Sequence, residues 1–586
     1  MRGLRVFRRI FRYYRDHLPA TIGGTASVVA SALIALAVPG LVRRSVDALT
    51  SGAPIEIVWR LAGLLLLVAV ASGSFLFLQR LLLVTVSRHL EHALRVDLYN
   101  HLLRLPAAFY MRERVGDLLT RATSDIGAVR MAVGPSLMYA VNTVTVMIAA
   151  TALMARIDPL LTACSLAIVP VVAATTGFFL NRVHARWGRA QEALSRFTAR
   201  LQEHLVGLRV LRAYVCEETE KGVLAARNLD YLQASRRLIS IQASVQPVLQ
   251  TLVGLGFVVV LGLGGNLVRT GRITLGQFVE FNLYLVRLTW PMVAVGYVAT
   301  MIQRGAASMT RIEQLFAEPP LDEPAMESGA ARIADSDATL CLRNLSFTYP
   351  NTVRPAVGGV SFSVAAGERV AIVGGVGSGK STILSLVPRL LEPPPGTVFL
   401  DGRDVRELPL AILRREVSLV PQGNFLFSAT LRDNIALAHP EASEDEILAA
   451  AIVAGLEEDL HRFPSGLDTM VGERGVTLSG GQQQRVAIAR AILTEPRLLL
   501  LDDCLSAVDT TTERVILSLL PRTTLLFATH RLAAAELCDR VVVMDAGRVI
   551  ESGTPAELAA IGGRYAKLLA LQRLSRADLA NSATAG

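Results

Sequence analysis

Charged residues are scarce in this chain. They make up 19% of its 586 residues, whereas hydrophobic residues make up 52%. Soluble domains carry charge on about a quarter of their residues, so this balance excludes a wholly soluble protein. The formal net charge is nevertheless +9. Because the arginines lie beside long apolar runs, they favour an anionic membrane surface over nucleic acid as the partner.

Cysteine is also scarce, and its few copies follow no pattern. The chain has five cysteines: Cys164, Cys216, Cys341, Cys504 and Cys538. They are odd in number, widely dispersed and without the close spacing that a metal site needs. This distribution argues against a disulfide framework and fits a reducing, cytosolic environment.

Long hydrophobic runs dominate the first 316 residues. Six of them reach the ~20 residues that a helix needs to cross a bilayer: about 19–42, 58–86, 135–157, 159–182, 243–268 and 276–306. The first run begins after arginines and contains Ala35-Leu36-Ala37, which resembles a signal peptide. It continues to Val42, however, and five more runs follow. We therefore predict an all-α transmembrane domain over 19–316, with six spans.

The first 18 residues predict an amphipathic elbow helix on the membrane surface. Phe7, Ile10, Phe11 and Tyr14 recur at helical spacing. Six arginines accompany them: Arg2, Arg5, Arg8, Arg9, Arg12 and Arg15.

The distribution of basic residues predicts the orientation. The N-terminus and the segments 87–134 and 182–242 hold 24 lysines and arginines, whereas the opposite connections hold six. The positive-inside rule therefore places the N-terminus and both long connections in the cytosol. These connections look helical, so the helices should project far beyond the bilayer. Their tips, 109–117 and 212–218, are either contact points for a cytosolic domain or simple solvated loops.

The composition changes after residue 316. Residues 317–338 are polar and contain prolines, which predicts a linker. Residues 339–575 alternate strand and helix patterns, which predicts an α/β domain. Residues 576–586 look like a flexible tail.

A phosphate-binding loop lies near the start of the α/β domain. Its residues fit G-x-x-x-x-G-K-[ST]: Gly374, Gly375, Val376, Gly377, Ser378, Gly379, Lys380, Ser381 and Thr382. An apolar strand over 370–373 precedes it, and a helix over 383–391 should follow. The glycines allow backbone N–H groups to face phosphate oxygens, and the helix N-terminus adds its positive dipole end. Lys380 should reach the β- and γ-phosphates, and Ser381 should reach Mg²⁺.

A second nucleotide motif ends in two carboxylates. Leu498–Leu501 predicts a buried strand, and Asp502 and Asp503 follow at its carboxyl end, where a bound Mg²⁺ would lie. Asp502 is the predicted metal-organising carboxylate.

Together with these motifs, Leu478-Ser479-Gly480-Gly481-Gln482 resembles the signature of ATP-binding-cassette proteins. The whole chain resembles a half-transporter of the ABC exporter type, with six spans before one P-loop ATPase cassette. The resemblance implies ATP and Mg²⁺ as cofactors and export of drugs, lipids or peptides across a bacterial cytoplasmic (inner) membrane. The resemblance implies family roles for five further residues: Tyr349 against adenine, Gln422 toward Mg²⁺, Glu473 toward the membrane domain, Asp509 as a nucleotide contact and His530 at the γ-phosphate. Asp509 ends the segment Ser506-Ala507-Val508-Asp509, which resembles the D-loop of the family.

One position departs from the family pattern. Asp503 stands where a glutamate usually polarises the attacking water, so its carboxylate is about 1.5 Å shorter in reach. A displacement of ~1 Å can cost on the order of 10²-fold in rate. We therefore expect slow hydrolysis at this chain's own site, and an asymmetric heterodimer whose partner carries the competent glutamate. The alternatives are a homodimer with two slow sites, or an ATP-gated regulator or importer on the same architecture.

Charged residues inside the spans are few, and two of them share a helix face. Glu280 and Arg287 are seven residues apart, about two helical turns. Arg287 either meets an anionic group of the cargo, or pairs with a neighbouring helix or snorkels to the surface.

Overall fold

The computed structural model describes residues 8–321, 340–350, 352–472, 475, 477–520 and 523–584. Residues 1–7 of the predicted elbow, 322–338 of the predicted linker and Glu473 lie outside these ranges. The chain divides into two compact units. One comprises Met1–Leu103 with Gly116–Glu318, and the other comprises Arg104–Val115 with Pro319–Gly586.

Helices account for nearly all of the described chain up to Ala317. They are α1 (Arg8–Arg15), α2 (Leu18–Ala35), α3 (Ala37–Thr50), α4 (Ile55–Leu103), α5 (Ala107–Arg112), α6 (Val115–Thr120), a π-helical turn (Arg121–Asp125), α7 (Ile126–Val133), α8 (Pro135–Ile157), α9 (Pro159–Leu166), α10 (Ile168–Val206), α11 (Leu208–Ala213), α12 (Glu217–Arg269) and α13 (Leu275–Ala317).

Six helical stretches are long and apolar enough to cross a membrane, which confirms the predicted number of spans. Several are much longer than a crossing requires. The 49 residues of α4 extend about 74 Å, more than twice the ~30 Å hydrocarbon core. The first stretch runs from Leu18 to Thr50 and breaks at Leu36. Pro39 explains this break, because a proline ring clashes with the carbonyl four residues earlier.

The N-terminal helix α1 packs one of its faces on the first unit. Ile10 is buried. Arg9 forms an ion pair with Glu313 at 3.2 Å, and its guanidinium lies 3.7 Å from the centre of the Phe316 ring. Phe11, by contrast, is 76% exposed. The helix therefore presents an apolar, basic face outward, as an interfacial helix does.

The second unit contains ten strands and ten α-helices among its described residues after Pro319. The strands are β1 (Leu340–Phe347), β2 (Val357–Val364), β3 (Arg369–Gly374), β4 (Val398–Leu400), β5 (Arg403–Asp404), β6 (Val417–Val420), β7 (Leu498–Asp502), β8 (Thr524–Thr529), β9 (Arg540–Asp545) and β10 (Arg548–Gly553). The helices are α14 (Lys380–Leu386), α15 (Leu410–Glu416), α16 (Leu431–Ile435), α17 (Glu444–Val453), α18 (Glu457–Arg462), α19 (Gly480–Ile492), α20 (Thr510–Leu519), α21 (Leu532–Ala535), α22 (Pro555–Ile561) and α23 (Arg564–Thr584).

Two sheets organise this unit. The strand order of the smaller is β2-β1-β4-β5, and its strands pair antiparallel. The order of the larger is β10-β9-β3-β8-β7-β6, parallel except for β10. The carboxyl ends of β3, β6, β7 and β8 therefore meet at one edge, where α/β sheets bind ligands.

The strands of the larger sheet are buried on both faces. Ala371, Val373 and Leu501 belong to one hydrophobic cluster, whereas Ile372 and Leu500 belong to another. Side chains alternate across a strand with period two. Strands buried on both faces are hydrophobic without interruption, which is why 498–501 are all leucine. The predicted fold class, a six-span helical domain followed by an α/β cassette, is confirmed.

Three boundaries differ from the predictions. The helix after the phosphate loop is α14, which starts at Lys380 and ends at Leu386 because Pro388 disfavours helical geometry just before it. Helix α23 continues to Thr584, through most of the predicted tail. Its residues include many strong helix formers and no glycine or proline. Residues 104–115 group with the cassette, and the Leu321 amide donates to the Arg104 carbonyl at 2.8 Å.

Candidate functional site

The phosphate loop joins β3 to α14 in a conformation that needs glycine. Gly377 and Gly379 have φ values of 78° and 100°, a region that side chains with a Cβ disfavour. A Cβ on Gly379 would also lie 2.6 Å from the Ala356 carbonyl oxygen. The described loop is thus built around two positions that only glycine fits well.

The side chain of Lys380 folds back across this loop. Its Nζ donates to the carbonyls of Gly374 at 2.8 Å and Gly375 at 2.9 Å. Burial lowers the pKa of Lys380, while Asp503 and Asp502 oppose that shift. An ammonium held among carbonyl oxygens is positioned to attract the phosphates of a nucleotide.

Ser381 and Asp502 come together across the sheet edge. The Ser381 hydroxyl donates to Asp502 Oδ1 at 2.9 Å. Burial raises the pKa of Asp502, and the neighbouring Asp503 charge adds to this rise. A hydroxyl beside one carboxylate is a donor set that suits Mg²⁺, which binds through one or two carboxylates plus phosphate oxygens. No cluster of three or more His, Cys, Asp or Glu ligands occurs among the described residues.

Asp503 and His530 form a pair at the same edge. His530 Nδ1 lies 2.7 Å from Asp503 Oδ1. The Asp503 amide donates to the Ala528 carbonyl at 2.8 Å, and Asp503 has a left-handed φ of 46°. The His530 side chain is 56% exposed and that of Asp503 is 16% exposed. The carboxylate is thus fixed in place, while the imidazole stays open to a ligand.

Two other predicted residues lie around this edge. Tyr349 Oη is 3.2 Å from the Thr382 hydroxyl, and the Tyr349 ring meets Phe347 edge-on. Tyr349 therefore lies next to the start of α14. Gln422 is exposed and follows β6 by two residues. Because β6 pairs with β7, Gln422 emerges beside the strand that carries Asp502.

The signature residues form the start of α19 rather than part of the cluster around Lys380. The Ser479 side chain caps α19, and Gln482 completes a capping box. Gln482 Nε2 also donates to Asp459 at 2.8 Å. A Cβ on Gly481 would lie 2.9 Å from the Ala507 carbonyl oxygen, and Gly480 also lies against Ala507. The signature is thus joined to the D-loop.

Two residues that the sequence analysis missed fix the D-loop. Gln484 donates to the Ser506 hydroxyl at 3.2 Å and accepts from the Ala507 amide at 3.0 Å. Arg531 donates to the Val508 carbonyl at 2.7 Å. The feature of the sequence that could have identified them is their position: Gln484 directly follows Gln482-Gln483, and Arg531 directly follows His530.

Asp509 has a local structural contact. Its carboxylate accepts from the amides of Thr511 at 3.1 Å and Thr512 at 2.9 Å, and so caps α20. The predicted contact of Asp509 with nucleotide stays a prediction. Glu473 lies outside the described residues.

A phosphate loop, a carboxylate beside its serine and a capped signature helix define an ATP-binding cassette, and six spans make it part of a membrane transporter. Family models agree: "ABC transporter transmembrane region" matches residues 21–292, and "ABC transporter" matches residues 357–506. The chain belongs to the ABC transporter family and is of the exporter type. It is a multi-pass membrane protein with an ATP-binding, cytosolic ATPase.

Two curated relatives and one solved structure illustrate this similarity. The multidrug resistance-like ATP-binding protein MdlA of Escherichia coli is 34% identical over 98% of each chain. The ATP-dependent lipid A-core flippase of Chromohalobacter salexigens is 33% identical over 97% of this chain and 98% of its own. A bacterial Atm1-family ABC exporter solved with ATP bound has a TM-score of 0.75 at 28% identity, over 96% of this chain and 98% of that one.

Proposed function

We propose that this chain is the hydrolytically weak half of a heterodimeric exporter of amphipathic drugs, lipids or peptides in a bacterial cytoplasmic membrane. The observation that carries this proposal is the Asp503–His530 pair. Its carboxylate is one methylene shorter than glutamate, and His530 lies 2.7 Å from it. The named relatives, a multidrug resistance-like protein and a lipid A-core flippase, support the substrate class.

In the proposed nucleotide site, a few side chains each have a separate role. Lys380 attracts the β- and γ-phosphates, and Tyr349 offers its ring to adenine. Ser381, Asp502 and Gln422 would hold Mg²⁺, which when bound neutralises charge on the phosphate oxygens. Asp503 accepts a proton from the attacking water, and His530 orients Asp503 and faces the γ-phosphate.

The short side chain of Asp503 argues for slow hydrolysis. A general base works only within hydrogen-bond reach of the proton that it removes. Because His530 already holds the carboxylate, Asp503 has little freedom to approach a water that lies farther away. Binding of ATP does not depend on this reach. The site should therefore hold ATP well and turn it over slowly.

The second cytosolic tip supports a partner chain. Large apolar side chains are exposed here: Tyr214 and Val215, between α11 and α12, are 76% and 82% exposed, and Val206 at the end of α10 is 83% exposed. An apolar tip in the cytosol has an unfavourable hydration free energy unless another surface covers it. A partner's cassette is the surface that an alternating-access exporter provides. Closure of two cassettes around ATP would then move the spans through these tips.

A homodimer is the second candidate, because one chain carries every part of a composite site. The signature, phosphate loop, Asp502 and His530 are all present. Mass spectrometry of the chain purified from its own membranes distinguishes the two assemblies. The heterodimer requires a second six-span cassette protein with glutamate at the position of Asp503.

Function is tested by flux and turnover in the same preparation. Vesicles containing the purified complex should accumulate a labelled amphipathic cargo against a gradient only with Mg-ATP. Asp503→Ala should leave steady-state ATPase turnover of the heterodimer nearly unchanged, whereas Lys380→Ala should abolish ATP binding at this site. A collapse of turnover in Asp503→Ala would contradict the asymmetry. ATP-dependent conformational change without net cargo movement would contradict export.

A further inference from the structure

A cavity of about 460 Å³ lies inside the transmembrane unit, between helices of the same chain. Its volume is typical of small-molecule sites, which span about 300–1,000 Å³. Its wall is mostly apolar and comes from α2, α3, α4, α8 and α13. The lining residues that matter here are Ser31, Ser72, Leu76, Asn142, Arg287 and Trp290.

Arg287 is the only charged side chain among the described residues that line this cavity. The nearby acidic residue of α13 is already neutralised. Glu280 lies 3.4 Å from Arg43 Nη1, and Tyr284 donates to it at 3.1 Å. Within the described part of the chain, no ion pair or hydrogen bond is found for the Arg287 guanidinium. Pairing with a neighbouring helix therefore does not account for its charge.

Snorkelling does not account for this charge either. Helix α13 begins at Leu275 on the outer side, because the cassette that follows it is cytosolic. Arg287 lies twelve residues further, or ~18 Å along the helix. This depth exceeds the reach of an arginine side chain from within a ~30 Å hydrocarbon core. A guanidinium at such a depth is unfavourable unless an anion or water meets it.

The other polar groups in the wall also remain available. The Asn142 side chain has no hydrogen-bond partner among the described residues. Ser72 differs, since its hydroxyl donates to the Ser31 carbonyl at 3.4 Å. Arg287 and Asn142 together offer N–H donors to one acidic group. The apolar wall, including the indole of Trp290, suits a hydrocarbon chain.

We propose that this cavity binds an amphipathic anion, with its acidic headgroup on Arg287 and Asn142 and its hydrocarbon portion along the apolar wall. That this anion is the transported cargo rests on the export function proposed above. Binding itself does not require export, ATP or hydrolysis. A bilayer lipid and a free fatty acid share this chemistry.

Trp290 allows binding to be measured directly. The chain has three tryptophans, Trp59, Trp187 and Trp290; all three are exposed, and Trp290 is the one that lines the cavity. Replacing Trp59 and Trp187 by phenylalanine in the full-length chain leaves Trp290 as the single fluorophore. Brominated lipids quench tryptophan only at close range. In nanodiscs without nucleotide, brominated phosphatidylglycerol should quench Trp290 more strongly than brominated phosphatidylcholine, with a relative affinity of about fivefold.

Charge variants test the role of Arg287. Arg287→Gln should remove the preference for phosphatidylglycerol, and Arg287→Lys should retain most of it. Arg80→Gln is the matched control, because Arg80 is also an exposed arginine in a span but does not line the cavity; it should retain the full preference. Equal quenching by the two lipids, or a preference that survives in Arg287→Gln, would overturn the proposal.

The source of the anion is tested with a soluble amphiphile. If brominated oleate quenches Trp290 in nanodiscs of phosphatidylcholine, and brominated oleyl alcohol does not, the site accepts a free anion. If only brominated phosphatidylglycerol quenches, the occupant is a bilayer lipid. Both results support an anion site. Failure of transport with intact, Arg287-dependent quenching would refute the export function alone.

Discussion

At the scale of single residues, Asp502 of the nucleotide site is a buried carboxylate. Asp502 is buried at 6% exposure, and burial raises its pKa. When the pKa of a carboxyl is higher in the folded state than in the unfolded state, the free energy of unfolding falls as the pH rises from the unfolded-state pKa through the folded-state pKa. In the nucleotide-free protein, the charged Asp502 carboxylate therefore makes the folded cassette less stable at neutral pH than a neutral side chain would.

Replacing Asp502 by asparagine should separate stability from function. Asp502→Asn should raise the unfolding midpoint of the nucleotide-free cassette at pH 7.5 by about 2 °C, because it removes a buried charge and keeps an acceptor for Ser381. The difference should shrink as the pH is lowered toward 5. Stabilisation by Mg-ATP should disappear. Differential scanning fluorimetry of the full-length protein, with and without Mg-ATP, measures both effects.

Asp509→Asn is the control, for which we expect the unfolding midpoint to change in the opposite direction. Hydrogen bonds from Thr512 lower the pKa of Asp509, so its charged form favours the folded state. That contribution is present above the unfolded-state pKa and is lost as the pH falls through the folded-state pKa. Asp509→Asn should therefore lower the midpoint at neutral pH. A lower midpoint in Asp502→Asn as well would contradict the assigned cost of burial.

Lengthening Asp503 should restore hydrolysis. Asp503→Glu should raise ATP turnover at this chain's site, on the order of tenfold or more, because the carboxylate regains ~1.5 Å of reach. The gain is limited by the left-handed φ of 46°, which aspartate tolerates better than glutamate. Single-turnover hydrolysis by the assembled complex measures it. Adding His530→Ala should remove the gain, and an unchanged rate in Asp503→Glu would count against the proposed reason for slow hydrolysis.

At the scale of elements, a π-helical turn over Arg121–Asp125 lies between the short helices α6 and α7. Asp125 is 5% exposed. It accepts from Ser308 at 2.8 Å and from Arg311 Nε at 2.8 Å, both on α13. Such turns are frequent at functional sites. The turn at Arg121–Asp125 places the Asp125 carboxylate next to α7, where this segment contacts α13 in the predicted cytosolic part of the unit.

Loss of this carboxylate should loosen the contact between these helices. Asp125→Ala should reduce the stability of the first unit by about 2 kcal/mol, since it leaves Ser308 and Arg311 without their acceptor, although half-exposed Arg311 is partly screened. Thermal unfolding of the purified protein in nanodiscs measures the change. The control is Glu192→Ala, which removes an exposed pair with Arg196 at 3.8 Å and should have almost no effect. Similar shifts in both variants would contradict the role of Asp125.

The sequence predicted those elements whose physics is local. The phosphate loop, the leucine strand before Asp502 and six apolar spans each depend on adjacent residues, so their patterns were sufficient. Contacts between distant residues leave no such pattern. Arg43 is 237 positions from Glu280, and only the fold shows that this pair leaves Arg287 without a carboxylate. The π-helical turn and the D-loop contact of Gln484 depend on tertiary packing in the same way.

At the scale of the whole molecule, the second predicted cytosolic tip is the surface that we propose docks on another chain. Val215 combines 82% exposure with a φ of 54°, which is unfavourable for a β-branched residue. Strained residues persist where surrounding structure or function retains them. An exposed, strained valine at a loop tip is thus a good candidate for a contact across the assembly.

A charge at this tip should uncouple ATP use from transport. Val215→Asp should reduce cargo flux about tenfold while leaving ATP binding unchanged, because the charge would oppose apolar docking on the partner's cassette. Flux and nucleotide binding are compared in the same vesicles. Val96→Asp, at a 43% exposed valine of α4, is the control and should transport normally. Normal flux in Val215→Asp would show that the tip carries no coupling contact.

The contacts of Gln484 connect the D-loop to the signature helix. Its amide holds Ser506 and Ala507, and its helix begins with the signature. In a pair of cassettes, the phosphate loop serves one ATP and the signature serves the other. A shift of the D-loop in one cassette would therefore also move the signature, which contacts the nucleotide bound to the other cassette. The amide of Gln484 would thus couple the timing of events at two separate ATP molecules.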